Sequence, residues 1–186
     1  MTVKITHFAH GTTTDNEEKK SSGWNDVELS DLGISQSKEL KSKILEKWGE
    51  VKFDVIITSD LKRGIDSAQI AWGNDGVEIL NDKRMRECNY GDYNGELSEI
   101  VEPMQERMIT DRFPNGESYE DVKERIQDFL NYLKENFDGK HVALVGHKAP
   151  QLALDHILKG WTWEECFEKD WRKSKKWEAG WEYELN

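Results

Sequence analysis

The sequence is poor in the residues that build covalent or metal-based frameworks. Its 186 residues include only two cysteines and three prolines. Cys88 and Cys166 lie far apart and lack the paired spacing of zinc-binding motifs, so we expect neither a disulfide nor a metal site. These absences exclude small domains that are stabilised by disulfide bonds or by structural zinc.

Long apolar runs are also absent. No stretch approaches the roughly 20 apolar residues that cross a bilayer. The first residues, MTVKITHF, lack the basic-then-apolar layout of a signal peptide and are typical of a strand. The sequence therefore predicts a cytoplasmic protein that does not bind membranes.

Positive charge is scarce: the chain has 26 basic and 37 acidic side chains, and its net charge is −11. Such a surface repels nucleic acid and anionic membranes, but a positive pocket for a small phosphorylated substrate remains compatible with it. The one basic cluster, Arg172–Lys176, is expected to be solvated surface. The sequence leaves the oligomeric state open.

Large aromatic residues are well represented, with eight tryptophans and six phenylalanines. They argue against disorder and predict one globular domain over residues 1–186, with a small irregular cap segment at about 94–116.

Apolar runs and helical spacings alternate along the chain, which predicts an α/β fold: a three-layer sandwich with a mostly parallel central sheet. The predicted strands are Val3–Ala9, Phe53–Ser59, Val77–Leu80, His141–His147 and a C-terminal edge strand; the predicted helices are Leu32–Trp48, Asp60–Trp72, one capped by Ser118 and one running from about Pro150 to Gly160.

Three polar residues follow strands of this predicted sheet. His10, Arg63 and His147 come at or just after carboxyl ends, where open α/β sheets bind ligands. Taken alone, His10 could be a core residue, a metal ligand or a nucleophile. Gly11 would let a ligand approach the backbone, and the helix after His147 would offer free N–H groups. Together these features favour a site for a phosphoryl group.

Several short motifs occur in an order that resembles the histidine phosphatase superfamily, whose members are phosphoglycerate mutase-like. The quoted segments are HGTTTDN, SGWNDVELSDLGISQ, SDLKRGIDSA, MRECNYG, PNGESYEDVKER and GHKA. The matching positions include His10, Gly11, Thr13, Asn16, Gly23, Ser30, Arg63, Glu87 and His147. The resemblance covers most of the chain, from Val3 to about Gly160.

The resemblance implies a mechanism and a set of roles. His10 would be the nucleophile that forms a phosphohistidine, and Arg63 and His147 would stabilise the transferred phosphoryl group. Glu87 would protonate the leaving oxygen and later deprotonate water. Substrate contacts would come from Thr13, Asn16, Ser22, Gly23 and Lys148. No cofactor or metal is expected, and the partner is a small phosphorylated substrate.

Two positions depart from the family pattern. Ala9 occupies the position at which the family has an arginine that binds the phosphate. Lys148 replaces a glycine after the second histidine, and could supply the missing charge or point to solvent. The predicted activity is a metal-independent phosphohydrolase acting on a small phosphomonoester; a mutase-type transfer and a catalytically impaired phosphate-binding pseudoenzyme are the alternatives.

The remaining histidines and the C-terminal tryptophans receive structural interpretations. His7 is expected to be a packed core residue, His156 to pack on its helix or form a hydrogen bond near Asp155, and His141 to be exposed. Five tryptophans fall in the last 26 residues, and they are expected either to pack this segment against the core or to line the mouth of the pocket. They are Trp161, Trp163, Trp171, Trp177 and Trp181. The sequence does not identify the substrate.

Overall fold

The computed structural model of the protein describes residues 1–174 and 178–186. Its strands are, in chain order, β1 (Val3–Ala9), β2 (Lys20–Ser21), β3 (Val55–Thr58), β4 (Glu78–Asn81), β5 (Glu96–Leu97), β6 (His141–Gly146) and β7 (Trp181–Leu185). Its helices are α1 (Thr14–Glu17), α2 (Asp31–Trp48), α3 (Lys62–Trp72), α4 (Ser98–Gln105), α5 (Tyr119–Asn136), α6 (Lys148–Lys159), α7 (Trp163–Glu168) and α8 (Trp171–Ser174).

The central sheet has the strand order β4-β3-β6-β1-β7. Strands β4, β3, β6 and β1 run parallel, and β7 pairs antiparallel with β1 at the edge. Strand β6 thus lies between β1 and β3, with Ala9 opposite Gly146 in the register. The carboxyl ends of the three strands that precede the predicted site residues are therefore neighbours.

Helices cover both faces of the sheet, because alternate residues of the strands are apolar on each side. One face packs Phe8, Ile56 and Val145 against residues of α2 and α3. The opposite face packs Ile57 and Leu144 against α5 and α6. The predicted three-layer α/β sandwich with a mostly parallel sheet is confirmed.

The predicted helix ends are largely correct where a capping residue marks them. Ser30 accepts a hydrogen bond from the Gly33 N–H at the start of α2, and Gly49 ends that helix. At α5, Ser118 and Asp121 form a reciprocal capping box. These side chains satisfy N–H groups that a helix leaves unpaired, so the local sequence determines where each helix begins.

Two predicted elements differ from the structure near prolines. Helix α6 begins at Lys148 rather than near Pro150, which is its third residue. The first N–H groups of a helix have no partner within it, so a proline there removes no helical hydrogen bond. The cap segment expected to be irregular contains α4, with Pro103 inside it. Val101 of this helix is completely buried, and such packing outweighs the proline.

The C-terminal segment returns to the sheet as the predicted edge strand. The Tyr183 hydroxyl donates to Asp155 of α6 at 2.9 Å, which fixes β7 against the helix layer. Lys175, Lys176 and Trp177 lie outside the described residues. Over the described ranges, no helix is long and apolar enough to cross a membrane.

Candidate active site

His10 follows β1 with its ring in a defined tautomer. Its Nδ1 lies 2.7 Å from the carbonyl oxygen of Gly11. A carbonyl oxygen only accepts, so Nδ1 carries the hydrogen and Nε2 keeps its lone pair. Burial, then the charge of Arg63 and more weakly that of Arg172, lower the pKa of His10 to about 3, against a raising effect of the Gly11 hydrogen bond. The imidazole is neutral at ordinary pH, which is the nucleophilic form.

Gly11 packs tightly against the start of α2. A Cβ at this position would lie 2.4 Å from the carbonyl oxygen of Gly33, so only glycine lets the loop pack against the start of α2. Its N–H donates to the Ser67 hydroxyl at 3.0 Å. The loop that carries His10 is therefore fixed by α2 and α3.

His147 lies directly behind His10. The two ring centroids are 5.0 Å apart, and His147 is almost completely buried. Its Nε2 lies 2.7 Å from Ser59 Oγ, which also accepts from the Leu61 N–H. Burial, then the charge of Arg63, lower the pKa of His147 well below 6.5, so this ring is neutral too.

Arg63 lies in the first turn of α3 with 2% of its surface exposed. Its guanidinium donates to the carbonyl oxygens of Asn25 and Gly23 at 3.0 and 2.7 Å. Gly23 has a φ of +53°, and a Cβ there would lie 1.8 Å from the side chain of Asn94. The loop thus needs glycine at the point where it holds the arginine.

Glu87 occupies the N-terminus of α6. Its Oε1 accepts from the backbone N–H groups of Cys88 and Ala149 at 2.8 and 2.9 Å, and its Oε2 from that of Lys148 at 3.1 Å. The expectation of free N–H groups for a phosphate at this helix end is therefore wrong. The carboxylate takes those donors, and 8% of the residue remains exposed.

A cavity of about 280 Å³ opens at the carboxyl ends of these strands. Its wall includes His10, Arg63 and Glu87, whereas His147 is not part of it. Four cationic side chains and two acidic ones line this cavity, although the whole protein is strongly acidic; they are Lys20, Arg63, Lys148 and Arg172 against Glu87 and Glu102. This excess of positive charge fits an anionic ligand.

The predicted substrate-binding residues separate into two groups. Asn16, Ser22, Gly23 and Lys148 all line the cavity. Thr13 does not, because it is buried and its hydroxyl caps α1 by accepting from the Asn16 N–H at 3.1 Å. Its neighbour Thr12 lines the cavity instead. Three consecutive threonines do not reveal which one faces the ligand.

Lys148 does not point to solvent. Only 13% of its side chain is exposed, and its Nζ lies 3.2 Å from Oδ2 of the fully buried Asp170 carboxylate. The lysine lines the same cavity as Ala9. The structure thus places this cation near the position that lacks an arginine, and ties it to a buried acid.

Two residues of the C-terminal segment, Trp171 and Arg172, also contribute to the site; a place at the mouth of the pocket was one of the two roles expected of the tryptophans. Both line the cavity beside Ala9 and His10. The expectation that the basic cluster is solvated surface is wrong for Arg172, whose side chain is 27% exposed and paired with Asp170 at 2.9 Å. The run of basic residues did not indicate that Arg172 lines the cavity, because the sequence does not distinguish it from the exposed Lys173 beside it.

The remaining candidates have structural environments. His156 stacks on Trp163 with ring centroids 4.6 Å apart, as expected of a packed residue. His141, expected to be exposed, is half-buried against Phe53. His7 is completely buried, as expected. Both cysteines are free, and the described part of the chain contains no cluster of three or more metal-ligating side chains.

The parallel sheet thus carries a neutral histidine, a buried arginine and a glutamate together at its carboxyl edge. The family model of the histidine phosphatase superfamily (branch 1) matches residues 8–181. The chain belongs to this superfamily.

Individual relatives include mutases and phosphatases. The chain is 30% identical over 155 residues to phosphoglycerate mutase-like protein 4 of Arabidopsis thaliana, covering 78% of this chain and 66% of the plant protein. It is 28% identical over 176 residues to a 2,3-bisphosphoglycerate-dependent phosphoglycerate mutase of Allorhizobium ampelinum, covering 86% and 82%. A mycobacterial glucosyl-3-phosphoglycerate phosphatase solved with VO3 superposes with a TM-score of 0.75 at 26% identity, covering 89% of this chain and 86% of that one.

Proposed function

We propose that the protein is a metal-independent phosphohydrolase that removes phosphate from a small phosphomonoester through a phosphohistidine on His10. One observation carries the proposal: a neutral imidazole with a lone pair on Nε2 shares one cavity with a buried guanidinium and a carboxyl group. Relatives that are mutases and phosphatases support phosphoryl transfer as the chemistry.

The first half-reaction transfers the phosphoryl group to the enzyme. The Nε2 lone pair of His10 attacks phosphorus while the bond to the ester oxygen breaks, and the leaving oxygen takes a proton from Glu87. Of the two carboxyl oxygens, Oε2 accepts one backbone hydrogen bond and Oε1 accepts two, so Oε2 is better placed to carry that proton. Arg63 stabilises the charge that spreads over the transferred oxygens.

The second half-reaction restores the enzyme. Glu87 takes a proton from water, the water oxygen attacks phosphorus, and the bonding pair of the phosphorus–nitrogen bond returns to Nε2 of His10. Glu87 thus ends protonated, as it began. If a second hydroxyl on a substrate replaces water, the same steps give a mutase, and the proposal therefore depends on which acceptor reaches the cavity.

The decisive experiment is a hydrolysis screen of phosphomonoesters, including phosphoglycerates and sugar phosphates, with EDTA present. Turnover should survive EDTA and disappear in His10→Ala, and acid-quenched enzyme should carry labelled phosphate on His10. His156→Ala is the matched control, because His156 lies outside the cavity wall. Activity lost to EDTA, or retained in His10→Ala, contradicts the proposal. Isomerised product with no free phosphate identifies a mutase.

A further inference from the structure

The wall beside Ala9 contains a guanidinium that the mechanism has not used. Ala9 contributes only a methyl group next to the nucleophile, and Arg63 is tied to the carbonyl oxygens of Gly23 and Asn25. Arg172 lines the same cavity as Ala9 and His10. A second guanidinium is therefore available where the sheet itself supplies no polar group.

Buried acceptors hold Arg172 in place. Its Nη1 donates to Asp170 Oδ1 at 2.9 Å and to Gln151 Oε1 at 3.3 Å, and its Nη2 donates to Gln151 Oε1 at 3.2 Å. Asp170 and Gln151 are each 3% exposed. The guanidinium also lies over the ring of Trp171, 4.6 Å from its centroid. Three of the five donors of an arginine are used in these bonds, so two can serve a ligand.

Two cationic side chains share the buried carboxylate of Asp170. Its carboxylate faces Arg172 at 2.9 Å on one oxygen and Lys148 at 3.2 Å on the other. Both cations line the cavity, whose wall has an excess of cationic side chains, four against the acidic Glu87 and Glu102. An anionic group in the cavity would neutralise that excess.

We propose that Arg172 binds the transferred phosphoryl group on the Ala9 side of His10, with Asp170 as the residue that positions it. This inference rests on the proposed function, since it names a further ligand of the same phosphoryl group. An arginine fork offers two donors to phosphate oxygens, which the point charge of Lys148 cannot do. The competing explanation is that Arg172 only ties the C-terminal segment to α6.

Binding of inorganic phosphate and vanadate, measured by calorimetry, tests the inference without turnover. Arg172→Ala should weaken both by about 10- to 100-fold, the value of a charged hydrogen-bonded contact. Lys169→Ala is the matched control: it removes one cation from the same segment, where Lys169 pairs with the exposed Glu165. That variant should bind phosphate as the parent does.

Turnover adds a readout that a purely structural tie would not move. Millimolar guanidinium ion should restore part of the activity that Arg172→Ala loses. It should not change the activity of Lys169→Ala. If Arg172→Ala does not fold, Arg172→Lys replaces it: lysine keeps the pair with Asp170 but loses the fork, and phosphate binding should weaken about tenfold. Phosphate affinity within twofold of the parent in either folded variant overturns the inference.

The two proposals fail in different ways. A parent enzyme that hydrolyses phosphomonoesters through His10, with Arg172→Ala equally active and equally able to bind phosphate, overturns the role of Arg172 and keeps the function. A parent without turnover on any phosphomonoester, whose phosphate binding still depends on Arg172, keeps the role of Arg172 and overturns the function.

Discussion

The two walls of the cavity are held by different forces. The wall at the sheet edge carries His10, Arg63 and Glu87, and each makes hydrogen bonds to backbone groups. The C-terminal wall carries Arg172, which is held by the side chains of Asp170 and Gln151. Backbone partners persist through any substitution that keeps the fold, whereas side-chain partners can be removed singly. The geometry of the sheet wall should therefore survive most single substitutions. The geometry of the C-terminal wall should change when Asp170 or Gln151 is replaced.

The largest effect should come from the acid on the sheet wall. Glu87→Gln should lower turnover of alkyl phosphates by about 10²- to 10⁴-fold, because the amide cannot transfer a proton. Turnover of p-nitrophenyl phosphate should fall far less, since its leaving group needs no proton. Single-turnover kinetics on both substrates measures the difference, with the exposed Glu99→Gln as control. An equal loss on both substrates would mean that Glu87 acts only by holding α6.

A smaller effect should separate the two arginines. Arg63→Lys should cost about 1–3 kcal/mol of unfolding free energy, because two buried carbonyl oxygens lose charged donors. Arg172→Lys should cost less than about 1 kcal/mol, since the lysine keeps a positive charge beside the buried Asp170 and Gln151 still accepts from the Trp171 indole N–H. Urea unfolding of both variants measures the comparison. Equal losses would show that the C-terminal wall is as deeply built into the fold as the sheet wall.

The same division explains what the sequence could predict. His10 and Arg63 were predictable because strand ends and short motifs place them, and Glu87 because a motif marks it. The contacts within the C-terminal wall were not predictable, because Asp170 and Arg172 approach α6 only through the tertiary fold. Thr13 was misassigned for a local reason: a capping threonine and a ligand-facing one differ only in backbone direction. The packing of Gly11 on α2 was not predictable, because close helix packing and ligand approach both favour glycine.

A coupling of about tenfold is expected between Ala9 and Lys148. Lys148 Nζ should lie within about 4 Å of a bound phosphate, where opposite charges attract even near a surface. Lys148→Ala should then lower kcat/KM, and Ala9→Arg should restore part of that loss by adding a fork. A double-mutant cycle on kcat/KM measures the interaction. Additive effects would assign Lys148 to holding Asp170, 3.2 Å away, rather than to the substrate.

The smallest effect concerns His7, which is completely buried in β1. Burial, then the charges of Arg172 and His10, lower the pKa of His7 to about 3. The unfolded chain binds this proton near pH 6.5, so between pH 6.5 and about 3 the unfolded state holds more protons and stability falls as the pH falls. His7→Asn should reduce the slope of unfolding free energy against pH in this window by up to about 1.4 kcal/mol per pH unit. Urea unfolding at several pH values gives the slope, with the half-buried His141→Asn expected to change it less. Because Arg172 is among the charges that lower the pKa of His7, Arg172→Ala should shift the lower end of the window to higher pH; an unchanged window would place the C-terminal wall too far away to act on the sheet.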